Sequence, residues 1–271
     1  MRRRAPGRRQ AENARSHERG AFARRTAMTT TSVSRTPALG DRVGRLPWEE
    51  LRAALETRGF AVTPPFLDAA ECDELAALFE AGRFRSTIDM ARHRFGAGSY
   101  RYFDDPLPDA IAALRAAFYR RLAPVANEWA VLLGGDADAF PLEHDDLLER
   151  CRAAGQTRPT PLILRYAAGD WNALHQDLYG DVFFPFQVVT VLAEPGTDFA
   201  GGELVLLEQR PRAQSRAHVL NPPRGAFVIF PTRERPNAGR TGHHRVGVRH
   251  GVSTVTEGSR TALGIIFHDA R

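Results

Sequence analysis

Residues 164–177, LRYAAGDWNALHQD, decide how this chain is read. They continue the run TPLILRYA (160–167), whose apolar, β-branched and aromatic content predicts a strand. Gly169 and Asp170 then predict a turn before WNALHQD. In an extended segment His175 and Asp177 stand two residues apart and share one face of a sheet, whereas a helix would splay them. The same pattern returns at 250–268, HGVSTVTEGSRTALGIIFH. Here HGVSTV predicts a strand, Glu257 and Gly258 break it, and RTALGIIFH reads as its hairpin partner. Loop parity decides whether Arg260 shares the face of His250 in that hairpin. A two-residue Glu257-Gly258 loop would turn it away; a three-residue loop or a glycine bulge at Gly258, the geometry expected here, restores it.

Two imidazoles and one carboxylate, His175, Asp177 and His250, suit a ferrous ion held on one face, because three protein ligands leave three coordination positions open. Arg260 adds a permanently charged planar guanidinium, the natural partner for a carboxylate held at fixed distance from a metal. A lone His-x-Asp is common by chance, so the weight rests on the four residues together. The other histidines are expected elsewhere: His17 in a tail, His93, His144, His218, His243 and His244 among charges in structural or surface positions, not as ligands, and His268, after the apolar GIIF, in the core.

At 271 residues the chain can bury one sizeable core, and no apolar run approaches the length of a membrane helix. All 37 Lys-plus-Arg residues are arginine, which reads as codon bias. The net charge of +5 hides an asymmetry: residues 1–26 hold nine arginines against Glu12 and Glu18, which leaves the rest of the chain at −2. A uniformly basic nucleic-acid-binding domain is therefore excluded. Residues 209–250 are nevertheless locally basic, with nine arginines and one acid, Glu234. Two readings stand side by side: a surface facing an anionic substrate, or arginines on the solvent faces of strands. Cys72 and Cys151 show no metal spacing and are expected as free buried thiols in the cytoplasm. The arginine-rich start lacks the apolar stretch of a secretory signal, and Met28 offers an alternative start.

The domain reading is an Arg-rich disordered tail over 1–45 and one domain over 46–271, with 46–158 mainly helical and 159–271 mainly strands. Pro47 suits the first turn of a helix in LPWEELRAALETRGF, FAV is a short strand, and Asp68 with Glu71 forms a capping-box pattern before an apolar stripe at Cys72, Leu75, Leu78 and Phe79. A helical region runs from Pro108 toward Leu133, kinked or divided at Pro124, and another from Asp145 to Ala154. Residues 90–106 lack periodicity and predict a long loop, either pinned by aromatic anchors or acting as a lid in which Tyr100, Tyr102 and Phe103 contact substrate. After Thr160 many short strands with Gly and Pro turns predict a sandwich or barrel.

The segments LRYAAGDWNALHQD, GGELVL, PPRGAFVIF and HGVSTVTEGSRTALGIIFH resemble the iron(II)- and 2-oxoglutarate-dependent dioxygenases, the last of them most like the prolyl-hydroxylase branch. The resemblance is strong over roughly the last two-fifths of the chain and looser over FLDAAECDELAALFE (66–80). More narrowly, HQDLYGD, GGELVLLEQRPRAQSR and LGIIFHDAR are similar to a bacterial family described as oxygenases acting on damaged nucleic-acid bases. The resemblance implies an α+β chain with a double-stranded β-helix of jelly-roll, cupin-like type and supporting N-terminal helices. It implies Fe(II) on His175, Asp177 and His250, 2-oxoglutarate as co-substrate with its far carboxylate on Arg260 and with Tyr166 beside it, and O2 as oxidant. The reaction expected is hydroxylation or oxidative demethylation of an organic substrate, with nucleic acid as a candidate partner. Alternatives are a prolyl or small-molecule hydroxylase, a cupin-like metal-binding module without turnover, and a nucleic-acid-binding protein with a vestigial oxygenase fold. Cupin sites usually pair several histidines with a glutamate, so Asp177 and Arg260 argue against the module; intact ligands argue against the vestige.

Overall fold

The computed structural model describes residues 38–210, 212–240 and 242–271. Helices α1 (Leu39–Gly44) and α2 (Trp48–Arg58) lead into strand β1 (Ala61–Val62). Then follow α3 (Ala69–Ala81), β2 (Phe84–Asp89), α4 (Met90–His93), β3 (Gly96–Ala97), β4 (Ser99–Phe103), α5 (Asp109–Leu132) and α6 (His144–Ala153). The second half is built of β5 (Leu162–Ala167), β6 (Trp171–His175), β7 (Phe186–Val191), β8 (Phe199–Gly201), β9 (Leu204–Gln209), β10 (Arg216–Leu220), β11 (Phe227–Pro231), β12 (Glu234–Gly239), β13 (Gly242–Val252) and β14 (Val255–Ile266).

The larger antiparallel sheet runs β1-β11-β7-β14-β5-β4-β2 with β8 beside β14; the smaller runs β10-β9-β13-β6-β3 with β12 beside β13. From β5 onward the chain keeps changing sheets: β5, β7, β11 and β14 belong to the larger, β6, β9 and β13 to the smaller. That winding is the double-stranded β-helix, or jelly roll, and with the helices it makes an α+β chain.

Strand alternation explains how the helices and a cavity share the larger sheet. Odd positions of β14, Leu263 and Ile265, join Val188 of β7 and Phe227 of β11 in a buried core with Phe118 and Leu114 of α5. Even positions of β14, from Arg260 to Ile266, line a cavity on the other face. Burying a Phe or Leu side chain fully is worth about 1.5–3 kcal/mol, so this helix-backed core is the main support of the sheet. Arg115 of α5 completes it: its Nε donates to the Ile266 carbonyl at 2.9 Å, and its Nη2 donates to the Asp269 carboxylate at 2.8 Å, which clamps the end of β14.

Several local readings hold. Asp68 and Glu71 form the reciprocal capping box of α3. The helix expected from Pro108 toward Leu133 is there as α5, but it is continuous through Pro124, so the expected division fails. Cys72 and Cys151 are free and buried. Others fail. The tail reading over 1–45 is overturned at its end, because α1 covers Leu39–Gly44 with Val43 fully buried; residues 1–37 lie outside the described residues. A composition averaged over the tail hides so short an apolar turn. Residues 90–106 are not a long loop: β4 pairs with both β2 and β5, so Tyr100 and Tyr102 are fixed in a sheet and do not ride on a lid. Phe103 packs in the helix-side core and leaves the substrate contacts. His144 takes the structural of its two expected places: it is buried, with its Nε2 2.8 Å from the Phe267 carbonyl oxygen. His268 is buried as expected, where its Nδ1 accepts from the Phe184 amide.

The predicted hairpin between β13 and β14 is absent. β13 pairs with β6, β9 and β12, and β14 with β5, β7 and β8, so residues 253–254 carry the chain from one sheet to the other. The expected bulge at Gly258 is not there: β14 shifts register against β8 between Val255 and Glu257, while Gly258 pairs regularly with Phe199, has φ +73, and leaves no room for a Cβ, which would lie 1.9 Å from the Asp198 carbonyl oxygen.

Candidate metal centre and active-site cavity

His175 ends β6, and the register of β6 against β13 sets it directly opposite His250. The two imidazole rings lie 4.2 Å apart, centroid to centroid. Between this pair and the next, Val252 with Asn172, β6 holds one residue more than β13, a bulge of the kind that re-aims side chains. Gly251 allows the close approach: an added Cβ would stand 2.6 Å from the Asn172 carbonyl oxygen. Asp177, two residues past the end of the strand, closes the cluster. Its Oδ1 is 3.5 Å from His175 Nε2 and its Oδ2 3.2 Å from His250 Nε2. One ligand atom from each of the three residues lies within 4.8 Å of the others, a spacing that can hold one metal ion.

The surroundings prepare these donors. His175 Nδ1 sits 2.7 Å from the Ala173 carbonyl oxygen, so a neutral ring donates there and keeps the Nε2 lone pair free. Burial alone would raise the Asp177 carboxyl, but the imidazoles of His250 and His175 pull it well below its ordinary range. Burial pushes the His250 imidazole down, and the neighbouring His175 adds to the effect. The Tyr179 hydroxyl donates to Asp177 Oδ1 at 2.7 Å and accepts from the Tyr102 hydroxyl at 3.0 Å. Asp177 therefore has one oxygen committed to a phenol.

Across the cavity Arg260 faces inward from β14, paired in register with Tyr166 of β5. It is 2 % exposed, and its Nε has no hydrogen-bond partner among the described residues. No carboxylate there forms an ion pair with it; its guanidinium carbon lies 5.5 Å from the Tyr166 ring centroid and 6.0 Å from that of Phe199. A buried cation without a counter-ion is costly, so this arrangement fits an acidic ligand. Burial pushes the Tyr166 phenol up to about 12, and Asn172 Nδ2 donates to its hydroxyl at 3.3 Å.

All five residues singled out in the sequence, His175, Asp177, His250, Arg260 and Tyr166, line one cavity of about 240 Å³. Tyr100 and Tyr102 line it too, as do Tyr179 and Gln187, which sequence reading missed. A signal existed for Tyr179: it continues the two-residue spacing of His175 and Asp177. None of the nine arginines of 209–250 lines the cavity. Arg235 is buried against Glu208 at 2.6 Å, Arg224 pairs with Asp73, and Arg245 with Glu234. Arg212, Arg216, Arg240 and Arg249 are exposed, with no ionic partner among the described residues. Among the described residues no helix is long and apolar enough to cross a membrane.

The likenesses of the chain agree with this geometry. Two uncharacterized proteins of Mycobacterium tuberculosis, Rv2227 of strain H37Rv and MT2286 of strain CDC 1551, are each 51% identical over 168 residues, 62% of this chain and 72% of theirs. A Pseudomonas putida prolyl-4-hydroxylase superposes with a TM-score of 0.50 at 19% identity, covering 83% of this chain and 99% of its own. An oxidoreductase of the 2OG-Fe(II) oxygenase family from Burkholderia pseudomallei does so with a TM-score of 0.50 at 19% identity over 82% and 92%. These two share the fold. The profile of a family described as "Oxygenase, catalysing oxidative methylation of damaged DNA" matches residues 98–270, well over half the chain and every residue of the cavity cluster except Phe95. The chain belongs to that family and is an oxygenase built on the 2-oxoglutarate and iron(II) oxygenase fold.

Proposed function

We propose that His175, Asp177 and His250 hold Fe(II), that Arg260 with Tyr166 holds 2-oxoglutarate, and that the folded domain, α1 included, oxidises a carbon of a damaged nucleic-acid base. The observation that carries this reading is the buried, unpaired Arg260 opening on the same cavity as three metal-type ligands. The donor set fits the ion: two imidazoles and a carboxylate on one face suit ferrous iron with open positions. When bound, the iron supplies oxygen activation coupled to oxidative decarboxylation of 2-oxoglutarate.

The residues divide the remaining work. Arg260 meets the far carboxylate of the co-substrate with a charge-assisted pair, and the neutral Tyr166 phenol beside it can donate without repelling that charge. Tyr179 holds Asp177 in place. The apolar wall of Leu162, Leu164, Val189 and Ile266 excludes water around them. In the overall reaction one oxygen atom of O2 enters succinate and the other enters a substrate C–H bond as hydroxyl, with release of carbon dioxide. On an N-methyl group the resulting hydroxymethyl leaves as formaldehyde. The two free thiols suit a reducing compartment such as the cytoplasm.

The test is succinate release by the full chain with Fe(II), across methylated oligonucleotides, proline peptides and free amino acids. Iron-dependent release, stimulated by a methylated oligonucleotide, is expected. No release with any of them would contradict the dioxygenase reading. Stimulation by a proline peptide alone would move the substrate to peptides.

A further inference from the structure

The cavity has two ends, and only one is used by the co-substrate reading. Along β14 six residues separate Arg260 from Ile266, about 20 Å at ~3.3 Å per residue. Ile266 pairs with Gln187 of β7, and Gln187 pairs in turn with Phe230 of β11, whose ring lies 4.9 Å from that of His250. Gln187 thus lies beside the metal ligands, on the side away from Arg260. It is 4 % exposed, it lines the cavity, and its Nε2 has no hydrogen-bond partner among the described residues. Around it the lining is Tyr102, Leu162, Tyr179, Val189, Phe230 and Ile266, with no charged side chain besides the metal-ligand cluster.

We propose that this end of the cavity is the substrate subsite and that the Gln187 amide reads the hydrogen-bonding edge of an uncharged nucleobase lodged against the aromatic wall. The proposal rests on the oxygenase reading above and names what enters the cavity. An unpaired amide in an apolar wall is unfavourable until a ligand pairs it. Among the described residues no arginine lines this end of the cavity, so the anionic parts of the substrate stay outside. A carboxamide offers a donor and an acceptor side by side, which matches the adjacent donor and acceptor on a base edge. A prolyl ring carries no such edge. Tyr102 and Phe230 supply the flat apolar faces, and Arg85 lies over the Tyr102 ring at 4.3 Å.

The test is equilibrium binding, by fluorescence anisotropy, of single-stranded oligonucleotides to the full chain loaded with Mn(II) and 2-oxoglutarate. One oligonucleotide carries a single uncharged N-methylated base, N6-methyladenine, and the other an abasic site at that position. The wild type should prefer the methylated base by about tenfold or more, the scale of one charge-free hydrogen-bonding edge. Gln187→Met, similar in shape but without the amide, should lose about tenfold of that preference and keep what stacking on the aromatic wall contributes; Gln187→Glu, which loses the amide donor, serves if the first variant fails to fold. Equal binding of both oligonucleotides by the wild type would overturn base recognition. A preference undiminished in a folded Gln187 variant would overturn the role of this residue. Both outcomes are distinct from failure of the oxygenase reading, which shows as absent succinate release.

Discussion

The two sheets of the barrel contribute differently to one site. The smaller sheet carries the metal-type ligands and, among the described residues, leaves much of its outer face open: Leu174 of β6 is 39 % exposed and Val219 of β10 is 64 % exposed. The larger sheet carries Arg260 and Tyr166 and is buried on both faces, between the cavity and the helices. The difference follows from what each group requires. Imidazoles and a carboxylate need only a short stretch of exact register, which the His175–His250 pair and one bulge provide. A guanidinium without a counter-ion needs a scaffold that cannot yield, and the helix-backed sheet is the rigid one. Ten residues apart in sequence, His250 and Arg260 act across the cavity because the chain changes sheets between them.

The largest effect expected from breaking either side is on the smaller sheet. His175→Ala, Asp177→Ala and His250→Ala should each abolish iron-dependent succinate formation while circular dichroism stays native, since each supplies one of three ligands. Full activity in any one would remove that residue from the site.

The next tests the backing of the larger sheet. Burial holds the His144 imidazole down at about 3, and Arg115 adds to the effect, against an ordinary value of 6.5. The native state therefore binds fewer protons than the unfolded chain. Its stability is whole above pH 6.5 and is lost as pH falls toward the folded value, by roughly 2–4 kcal/mol at pH 4 from this group. Urea unfolding at pH 7 and pH 4.5 should show a smaller loss in His144→Gln than in the wild type. An equal loss would mean that His144 does not carry the effect.

Returning to the smaller sheet, Tyr179→Phe removes the hydrogen bond to Asp177 Oδ1 and should weaken Mn(II) binding about 10- to 100-fold, the usual consequence of losing a group that orients a ligand. Unchanged metal affinity would leave Tyr179 as a packing residue.

Much of this was legible in the sequence. The spacing of His175, Asp177, His250 and Arg260, with the surrounding strand text, located the cluster. The sheet change was not legible, because Glu257-Gly258 looks like a hairpin loop locally, and only long-range pairing with β8 shows that the register shift falls between Val255 and Glu257. For the same reason β4 read as loop: its partner β5 lies some sixty residues on, and SYRYF alternates over too few residues to declare a strand. Whether His144 is structural or at the surface was not legible, because its neighbours in sequence are acids, while its neighbours in space are Tyr119 and Phe267. Gln187 sits in an apolar run where a single amide gives no sequence signal.

The smallest effect concerns the outer arginines. Several of those in 209–250 are tied to acids, and Arg212 and Arg216 are among the free ones. If they meet phosphates, charge reversal at both should lower the salt slope of oligonucleotide binding by about one per lost contact. An unchanged slope would leave them as solvated strand-face residues.

The joint use of the two sheets is tested most directly by 2-oxoglutarate affinity, measured by calorimetry with and without Mn(II), in the wild type and in Arg260→Ala. Metal-dependent binding is predicted in the wild type. Removing the charge-assisted contact should weaken it by about 1.5–3 kcal/mol, one to two decades. Binding that is independent of the metal, or unchanged without the guanidinium, would contradict the account.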